Sequence, residues 1–424
     1  MTLTDPAATA TDTPAGTSGN ASATPRVFFN PFEPGFFDDP SVQLNALREQ
    51  EAVHFMEFTG GYMLTRYDDV FRVLRDRTIG SESTHAIRTP SIEAELEQVA
   101  KDPSGPSMLR VDGDDHTRLR RLVAQAFTPR AIEQWRLRAT ELTEDLLDHF
   151  DDNGGGDALH DFALPLPATV ISDMLGMPAG DLPKLRGWSH ALAKTLDAVN
   201  TEDEYQRAVD SALAMDEYLR DIYDLKEADP ADDIFSALIA AEHEGDRLTK
   251  DEVMANIRLL YVAGHETTTN LIGNGLVELF RNPDQLQLLR STDEHDANLV
   301  EEVLRFNPSV QMTRRIPRHD VQVAETTIPA GSVMLLSAVA ANRDPRKWGD
   351  TADEFDITRP DAKDQVAFGG GPHFCLGAAL ARLEGQIAIP RMVRRFPELA
   401  PVDAAPEFEP RVVLRGVTRL DVTV

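Results

Sequence analysis

The feature that most constrains this sequence is a glycine-rich loop that carries its only cysteine. Residues 368–377 read Phe-Gly-Gly-Gly-Pro-His-Phe-Cys-Leu-Gly and lead into a helical pattern that extends to Phe396. With one cysteine in 424 residues, the chain can form no intramolecular disulfide and no multi-cysteine zinc or iron–sulfur site. Cys375 is therefore a buried thiol, a nucleophile or a single thiolate ligand to a metal.

The setting of Cys375 favours the thiolate. Three glycines and a proline predict a tight loop that brings the sulfur to the first turn of a helix, where unpaired N–H groups and the helix dipole stabilise an anion. Gly377 has no side chain, which would let a flat cofactor approach the helix closely. A glycine-rich loop is a poor place to bury a thiol, so a reactive or metal-binding cysteine is the better interpretation.

The residue pattern of the loop resembles a known cofactor site. Phe-Gly-x-Gly-x-His-x-Cys-x-Gly is similar to the haem-binding loop of the cytochrome P450 monooxygenases. The resemblance implies haem b (iron protoporphyrin IX), with Cys375 as the axial iron ligand, Phe368 beside the sulfur, Gly377 close to the haem and His373 at a propionate. A thiolate ligand pushes electron density to the iron and favours O–O cleavage.

A second motif lies inside the longest predicted helix. Residues 263–269, Ala-Gly-His-Glu-Thr-Thr-Thr, put a glycine and three β-branched residues in mid-helix, a local conflict that suggests function. Ala263 and Thr267 lie one turn apart, so a flat ligand could lie against this face while a hydroxyl points at it. Glu266 stands beside that hydroxyl, as proton delivery would require. The alternative is close helix packing through small residues.

The motif resembles the distal-helix pattern of the same family, a small residue, Gly, any residue, an acid and Thr. The resemblance implies that Ala263 and Gly264 contact the cofactor, that Glu266 relays protons and that Thr267 stabilises the activated oxygen. His265 either faces the pocket or packs in the core, since a histidine serves both purposes.

Basic residues occupy the sequence positions at which members of this family contact the haem propionates. The resemblance assigns this role to His116, Arg120, Arg315 and His373. Taken alone, a His and an Arg one helical turn apart are usually a solvated helix face. Gln365 stands where many relatives carry histidine, and because a neutral amide supplies no charge it is left out of this set.

A charged triplet is predicted outside the cofactor site. Glu302 and Arg305 face the same way on a helix, which by itself indicates a surface ion pair. In the family this Glu-x-x-Arg binds a later arginine, best matched here by Arg359. A buried network of this kind serves the specificity of the fold more than net stability.

The element pattern predicts a mainly α fold with small β-sheets, and the resemblance implies the cytochrome P450 fold with a long central helix over the haem and the cysteine loop before the last helix. Residues 79–108 lack strong periodicity, which is typical of functional or mobile segments, and the resemblance implies that they cover the substrate pocket. Helices are predicted at 40–51, 67–77, 114–127, 130–150 and 251–281, a hairpin at 53–66, and strands at 321–323, 332–336 and 411–424.

Composition separates a tail from one domain. Residues 1–26 are mostly small and polar, which predicts a disordered tail. The resemblance covers nearly all of the chain after this tail and implies that residues 27–424 form a single haem domain. The net charge of −29 argues against nucleic acid or an anionic membrane as a partner. One cysteine, and no apolar run long enough to span a bilayer, predict a cytoplasmic protein.

The resemblance implies a monooxygenase that uses O2 to hydroxylate or epoxidise a lipophilic small molecule, with Ile257, Val310 and Met312 as pocket candidates. Electrons would come from a separate acidic ferredoxin and its reductase, because no Gly-x-Gly-x-x-Gly follows a strand. Arginines are dense at 110–138 and 382–395, where they are either solvated faces in local ion pairs or a docking patch for that ferredoxin.

Three other functions remain open. A thiolate-haem peroxygenase or isomerase would not need the acid–alcohol pair Glu266 and Thr267. A haem sensor or carrier would bind the cofactor without turnover and would be favoured by an apolar pocket lacking Thr267. A cysteine hydrolase would need a base held beside Cys375.

Overall fold

Helices form most of the fold, which confirms the mainly α prediction. The computed structural model describes residues 26–101, 105–197, 201–243 and 246–424, so apart from Arg26 the predicted tail lies outside the described residues. The helices are α1 Pro40–Gln50, α2 Tyr67–Arg75, α3 Pro90–Lys101, α4 Gly113–Ala124, α5 Pro129–Glu133, α6 Arg136–Asp152, α7 Pro165–Leu175, α8 Leu182–Lys194, α9 Glu202–Ala228, α10 Ile234–Ala240, α11 Lys250–Arg281, α12 Pro283–Ser291, α13 Asp296–Phe306, α14 Ala338–Ala341, α15 Pro345–Trp348 and α16 Ala378–Arg395.

Small sheets join strands that are far apart in the sequence. The strands are β1 Val53–Met56, β2 Gly61–Leu64, β3 Ile79–Gly80, β4 Gly155–Asp157, β5 Glu242–His243, β6 Asp246–Arg247, β7 Met312–Pro317, β8 Val321–Val323, β9 Thr326–Ile328, β10 Met334–Ser337, β11 Ala400–Pro401 and β12 Asp421–Thr423. The larger sheet has the order β1-β2-β10-β7-β3, with β2 and β10 parallel, and a second sheet has the order β11-β12-β4. The long strand predicted at 411–424 is wrong, because only β12 forms there.

The long helix α11 is defined by signals at both of its ends. The hydroxyl of Thr249 accepts the N–H of Glu252, and the carboxylate of Glu252 accepts the N–H of Thr249, which forms a capping box. The helix ends at Arg281, with Asn282 as its C-cap, because a residue directly before a proline disfavours the helical conformation. Because α11 packs against α7, α8, α13 and α16, an uncovered stretch on it needs an explanation.

The cysteine loop folds back onto α2. Gly369 and Gly371 have φ angles of +69° and +65°, in the left-handed region. A Cβ on Gly371 would lie 2.6 Å from the carbonyl oxygen of Leu74, so this close approach requires glycine. The N–H of Cys375 donates to the carbonyl of Phe368 at 2.9 Å and closes the loop. The sulfur therefore lies directly before α16, as predicted.

The main hydrophobic cluster surrounds α11 and includes residues of α7, α13 and α16. Two of the pocket candidates are wrong, because Ile257 is 0% exposed and Met312 is 1% exposed, both inside apolar clusters. In the part of the chain that the structure describes, no helix is both long and apolar enough to cross a membrane.

Glu384 of α16 is a buried carboxyl whose ionised form costs stability. Neither of its oxygens has a hydrogen-bond partner among the described residues. Burial raises the pKa of Glu384 well above its usual range. Because the folded-state pKa exceeds the unfolded one, wild-type stability is greatest below the unfolded pKa and falls as the pH rises toward the folded pKa.

We therefore expect Glu384→Gln to be more stable than the wild type by a margin that grows with pH. Urea unfolding at about pH 5 and about pH 8 measures this margin, because a glutamine cannot titrate. A margin that shrinks at the higher pH would contradict the assigned direction of the pKa shift.

Candidate active site

Cys375 lies just before α16 and is a half-buried residue. Burial raises the pKa of the Cys375 thiol. Hydrogen bonds from the N–H groups of Gly377 and Ala378 oppose this rise, as do the positive charges of two nearby guanidinium groups, on Arg120 and Arg382. Donors at a helix start and adjacent cations stabilise a thiolate, which is the form that binds a metal.

The four predicted propionate contacts form one basic cluster beside the cysteine loop. The rings of His116 and His373 have their centroids 4.2 Å apart. Arg120 donates to the carbonyl of Phe374 and interacts electrostatically with both His116 and the thiol. Arg315 is 4% exposed, and its burial lowers the pKa of Arg315 to about 10. The structure thus brings all four side chains together.

One ring nitrogen of the basic cluster, Nε2 of His116, has no hydrogen-bond partner among the described residues and could bind an anion. Burial, followed by the charges of His373 and Arg120, lowers the pKa of His116 to about 4. Nε2 of His116 is buried and has no hydrogen-bond partner within the described ranges. Since a buried polar atom normally has a partner, this nitrogen is available to an added polar group.

Asp112 is a member of this site that sequence reasoning missed. Its Oδ1 lies 2.8 Å from Nε2 of His373, and its carboxylate accepts the N–H groups of Ser81 and Glu82 at 2.8 Å and 2.9 Å. Burial alone would raise the pKa of Asp112, but these hydrogen bonds hold it well below its usual range. Asp112 therefore stays ionised and fixes the ring of His373.

The central helix leaves one face uncovered. Ala263 is exposed although it lies in the middle of α11, and Leu259 and Thr267, one turn to either side, are half-buried. The hydroxyl of Thr267 donates to the carbonyl of Ala263 at 2.9 Å, and Thr268 and Thr269 make the same bond to the preceding turn. This is the face on which the sequence analysis placed a flat ligand.

Gly264 and His265 turn away from that face. A Cβ on Gly264 would lie 3.1 Å from Cγ1 of Ile171 in α7, so close helix packing favours glycine here. The contact of Gly264 with the cofactor stays a prediction. His265 is 2% exposed, and its Nδ1 lies 2.8 Å from the carbonyl oxygen of Tyr261. His265 therefore packs in the core and does not share the face of Ala263.

Glu266 is buried and held by an arginine from the C-terminal segment. Arg411 donates to Oε1 of Glu266 at 2.7 Å. Burial raises the pKa of Glu266 to about 7, although the charge of Arg411 opposes the rise. A carboxyl that titrates near neutral pH can take up and release a proton, as the predicted relay requires.

The predicted triplet Glu302, Arg305 and Arg359 meets in the interior. Nε and Nη2 of Arg305 donate to the two oxygens of Glu302, each at 2.7 Å, and Nε of Arg359 lies 3.5 Å from the same carboxylate. Arg305 also donates to the carbonyls of Asn342 and Ala352, both at 2.8 Å. The network ties α13 to the segment that leads to the cysteine loop.

Two further side chains of the loop region have partners in the structure. The guanidinium of Arg382 lies 4.6 Å from the ring centroid of Phe368 and covers one side of it. Gln365 donates to Glu301 at 3.2 Å. Gln365 is therefore bonded outside the basic cluster, which agrees with its omission from the propionate contacts.

The residues present fit a thiolate-ligated haem. Cys375 supplies the sulfur, and the basic cluster supplies positive charge and the unpaired Nε2 of His116 for the two propionates. A Cβ added to Gly377 would meet no atom within 4 Å, so the space beside the backbone there is open. This donor set matches the chemistry of such a group.

Comparison with known proteins decides the family. The sequence model described as cytochrome P450 matches residues 54–292 and 297–422. The chain belongs to the cytochrome P450 family. It is a P450 monooxygenase, and its cofactor is haem b.

Relatives of this P450 align with nearly its whole length. Cytochrome P450 107B1 of Saccharopolyspora erythraea is 39% identical, covering 92% of this chain and 96% of that protein. The vitamin D(3) 25-hydroxylase of Pseudonocardia autotrophica is 37% identical, covering 93% and 96%. The crystal structure of P450BioI in complex with an acyl carrier protein ligated to hexadec-9Z-enoic acid has a TM-score of 0.85 at 32% identity, covering 92% and 100%.

Proposed function

We propose that this P450 inserts one oxygen atom of O2 into a lipophilic small organic substrate, as a hydroxylation or an epoxidation, with electrons from a separate ferredoxin and its reductase. The second oxygen atom leaves as water, and the reaction consumes two electrons and two protons. Bound haem supplies the activation of dioxygen. The observation that carries the proposal is the basic cluster around the Cys375 thiol, together with the uncovered Ala263 face of α11.

The first set of assigned residues binds the cofactor. We assign Cys375 to the iron, and His116, Arg120, Arg315 and His373 to the propionates. Hydrogen bonds to ionised groups are stronger than neutral ones, and burial of Arg315 has already removed most of its solvent. A propionate would therefore supply the missing partner of His116 Nε2 and meet the poorly solvated charge of Arg315.

Removal of one buried cation is expected to loosen the cofactor. Arg315→Gln should lose haem to an excess of apomyoglobin about tenfold faster than the wild type, because a charged hydrogen bond contributes about 1.5–3 kcal/mol. The matched control is Arg318→Gln, since Arg318 is exposed and pairs with Asp112 at 3.7 Å. Equal rates of haem loss in wild type and Arg315→Gln would remove Arg315 from the propionate set.

Proton handling is assigned to Glu266 and Thr267. Thr267 lies on the uncovered face and its hydroxyl is already oriented by the carbonyl of Ala263. Glu266 is the neighbouring buried carboxyl whose pKa is raised to about 7. Thr267 would hold a proton at the reacting oxygen, and Glu266 would replace it.

The open surroundings of α11 support a lipophilic substrate. Leu259 and Ala263 present apolar surface, and the N–H of Met108 donates to Oδ1 of Asn256 at 3.2 Å, which ties the segment before α4 to the first half of α11. Ile87 and Leu109 in this region are exposed large apolar side chains. Exposed apolar surface of this kind favours apolar molecules and offers few polar contacts.

Labelling with ¹⁸O2 tests the reaction class. Purified enzyme would receive a ferredoxin, its reductase and NADPH, with vitamin D3 and hexadec-9Z-enoic acid as probes, because these appear in the names of relatives. We expect a product that carries one labelled oxygen atom. Label-free product formed from unlabelled peroxide, with no need for O2 or electrons, would support the peroxygenase alternative instead.

The arginine cluster at 382–395 is not free to dock a partner. Its members pair with acids of the chain itself, as in Arg382 with Glu301 at 2.5 Å and Arg395 with Asp148 at 2.9 Å. This arrangement supports the interpretation as local ion pairs. Arg75 and Arg121 differ, because they are exposed and have no ion pair among residues that the structure describes.

We assign the ferredoxin-docking surface to Arg75, Arg121 and the exposed ring of Phe374. Arg75 lies against Gly370 of the cysteine loop, and Phe374 is 39% exposed directly before Cys375. Charges at the rim of an interface act mainly on association rate and are screened by salt. An acidic ferredoxin would meet this surface on the cysteine side.

Charge reversal tests this surface. Arg121→Glu should raise the apparent Kd for an acidic ferredoxin about tenfold at low ionic strength, with a smaller effect at about 0.5 M salt. Arg207→Glu is the matched control, since Arg207 is exposed on α9. If both variants weaken binding equally, the effect is one of net charge and the assigned surface is wrong.

We further propose that residues 27–424 act as one haem domain in the cytoplasm. The family match extends over nearly all of this range, and a lone cysteine as metal ligand suits a reducing compartment. Limited proteolysis of the holoenzyme should leave one haem-containing fragment that begins near residue 27. Cleavage into two stable halves would contradict a single domain.

A further inference from the structure

A cavity lies beside α11, next to the face that carries Glu266. It has a volume of about 410 Å³ and is bounded by α8, by α11 and by the C-terminal segment. At about 100° per residue, Glu266 lies about 60° around the helix from Ala263, and His265 lies further from it. Glu266 therefore stands between the cavity and the face of Ala263 and Thr267.

The two oxygens of Glu266 have different surroundings. Oε1 accepts a hydrogen bond from Arg411 at 2.7 Å. Oε2 is buried and has no hydrogen-bond partner in residues 26–101, 105–197, 201–243 and 246–424. Nδ1 of His190, which also lines the cavity, lies 3.9 Å from Oε2. This gap is too long for a hydrogen bond and fits one bridging water.

His190 connects this gap to solvent. It lies on α8, and its side chain is 54% exposed, whereas that of Glu266 is 12% exposed. The imidazole thus has one side in the cavity and one side in water. A histidine is suited to such a position because it gains and loses a proton near neutral pH.

Charged groups of several elements face Glu266. On the C-terminal segment, Arg411 also pairs with Glu409 at 2.6 Å, so one guanidinium bridges two carboxylates. The other titratable or charged groups toward the cavity are Arg186, His190 and Lys194 on α8, His160 after β4, and His265 on α11. Groups of both signs favour water as the occupant.

We propose that this cavity is the route by which solvent protons reach Glu266, with His190 as the outer proton donor and Arg411 as a positioning residue. The proposal rests on the role assigned above to Glu266. A proton leaves the imidazolium of His190, passes through a bridging water and binds Oε2 of Glu266, and His190 regains a proton from solvent. Arg411 holds Oε1, which keeps Oε2 directed to the cavity.

The titration properties of the pair support this transfer. Burial, followed by the charge of Arg411, lowers the pKa of His190 from its ordinary value. Burial raises the pKa of Glu266 to about 7. Both shifts favour transfer of a proton from the imidazolium of His190 to the carboxylate of Glu266.

Titration of Glu266 in the resting ferric protein tests the connection without turnover. The infrared band of the protonated carboxyl, identified by its loss in Glu266→Gln, would be followed against pH. We expect Arg411→Gln to raise the midpoint by about one unit or more, and Arg411→Lys to raise it less. We expect His190→Gln to turn a two-step titration into one step, since coupled groups titrate together.

Turnover in D2O tests proton delivery itself. With vitamin D3 as the probe, His190→Gln should form product about tenfold more slowly while electron consumption continues, and its solvent isotope effect should exceed that of the wild type. The matched control is His160→Gln, because His160 borders the same cavity but pairs with Asp157 at 2.7 Å. This control should resemble the wild type in both measurements.

The outcomes separate the route from the proposed function. An unchanged titration in His190→Gln and both Arg411 variants, or an unchanged rate and isotope effect in His190→Gln, would overturn the route. If the wild type itself inserts no oxygen into any probe, the proposed reaction fails, and the carboxyl titration still decides whether His190 and Arg411 are coupled to Glu266. Retention of the haem spectrum in each variant excludes misfolding as the cause.

Discussion

Replacing Cys375 with histidine is expected to abolish the long-wavelength Soret band of the reduced protein with carbon monoxide, together with oxygen insertion. A neutral imidazole does not push electron density to the iron as a thiolate does. The N–H groups of Gly377 and Ala378 and the charge of Arg120 surround the sulfur and favour an anion. We expect product formation to fall at least about 1,000-fold, which corresponds to about 4 kcal/mol in the barrier.

The control for this prediction lies in the same loop. His373→Gln leaves the sulfur in place, so it should keep the long-wavelength band even if haem is held less tightly. Difference spectra of the three proteins, normalised to haem content, make the comparison. If the wild type shows the band of a histidine-ligated haem, Cys375 is not the ligand, and the roles given to Thr267 and Glu266 lose their basis.

Elements with local signals could be predicted from the sequence. The bounds of α11 and the hairpin of β1 and β2 agree with expectation, because capping residues and turn glycines lie within a few residues of the boundaries they set. The helix expected at 130–150 is divided into α5 and α6, and Thr128 is the N-cap of α5. No proline or glycine marks the boundary between α5 and α6, so the sequence gives no signal for this break.

Elements that depend on distant partners were missed. Strand β7 contains two arginines and has no clear alternation, and it forms because β10 and β3 pair with it on either side. Helix α3 lies within residues 79–108, where no helix was expected. Its Ile92 packs in a small cluster with Ile316, a residue of β7. Tertiary contacts override weak local preference in both cases.

In the candidate site, too, residues within local motifs could be predicted from the sequence, and residues with distant partners could not. The motif around Cys375 predicted residues that lie at the basic cluster, and the motif around Thr267 predicted residues on the uncovered face of α11. Asp112 and Arg411 were missed because their partners, His373 and Glu266, are 261 and 145 residues away in the chain. Residue spacing carries no signal for contacts of that kind, whereas a motif fixed by one loop or one helical turn does.

Removal of the guanidinium of Arg305 is expected to be among the most destabilising substitutions in this chain. Arg305 is 0% exposed and donates to both oxygens of Glu302 and to backbone carbonyls of the segment before the cysteine loop. Arg305→Met would leave the Glu302 charge buried without its main partner. Breaking a buried pair in this way costs about 3–5 kcal/mol in the free energy of unfolding.

Two comparisons distinguish a network from a simple charge effect. Arg391→Met breaks an exposed pair with Glu144, at 3.1 Å, and should cost less than about 1 kcal/mol. The double variant Glu302→Leu with Arg305→Met should be less destabilised than the sum of the single variants, because no unpaired charge remains. Urea unfolding of the holoenzyme is measured for five proteins: the wild type, Arg305→Met, Arg391→Met, Glu302→Leu and the double variant. If Arg305→Met costs no more than Arg391→Met, the triplet does not hold α13 to the cysteine loop, and the position of the sulfur depends on the loop glycines alone.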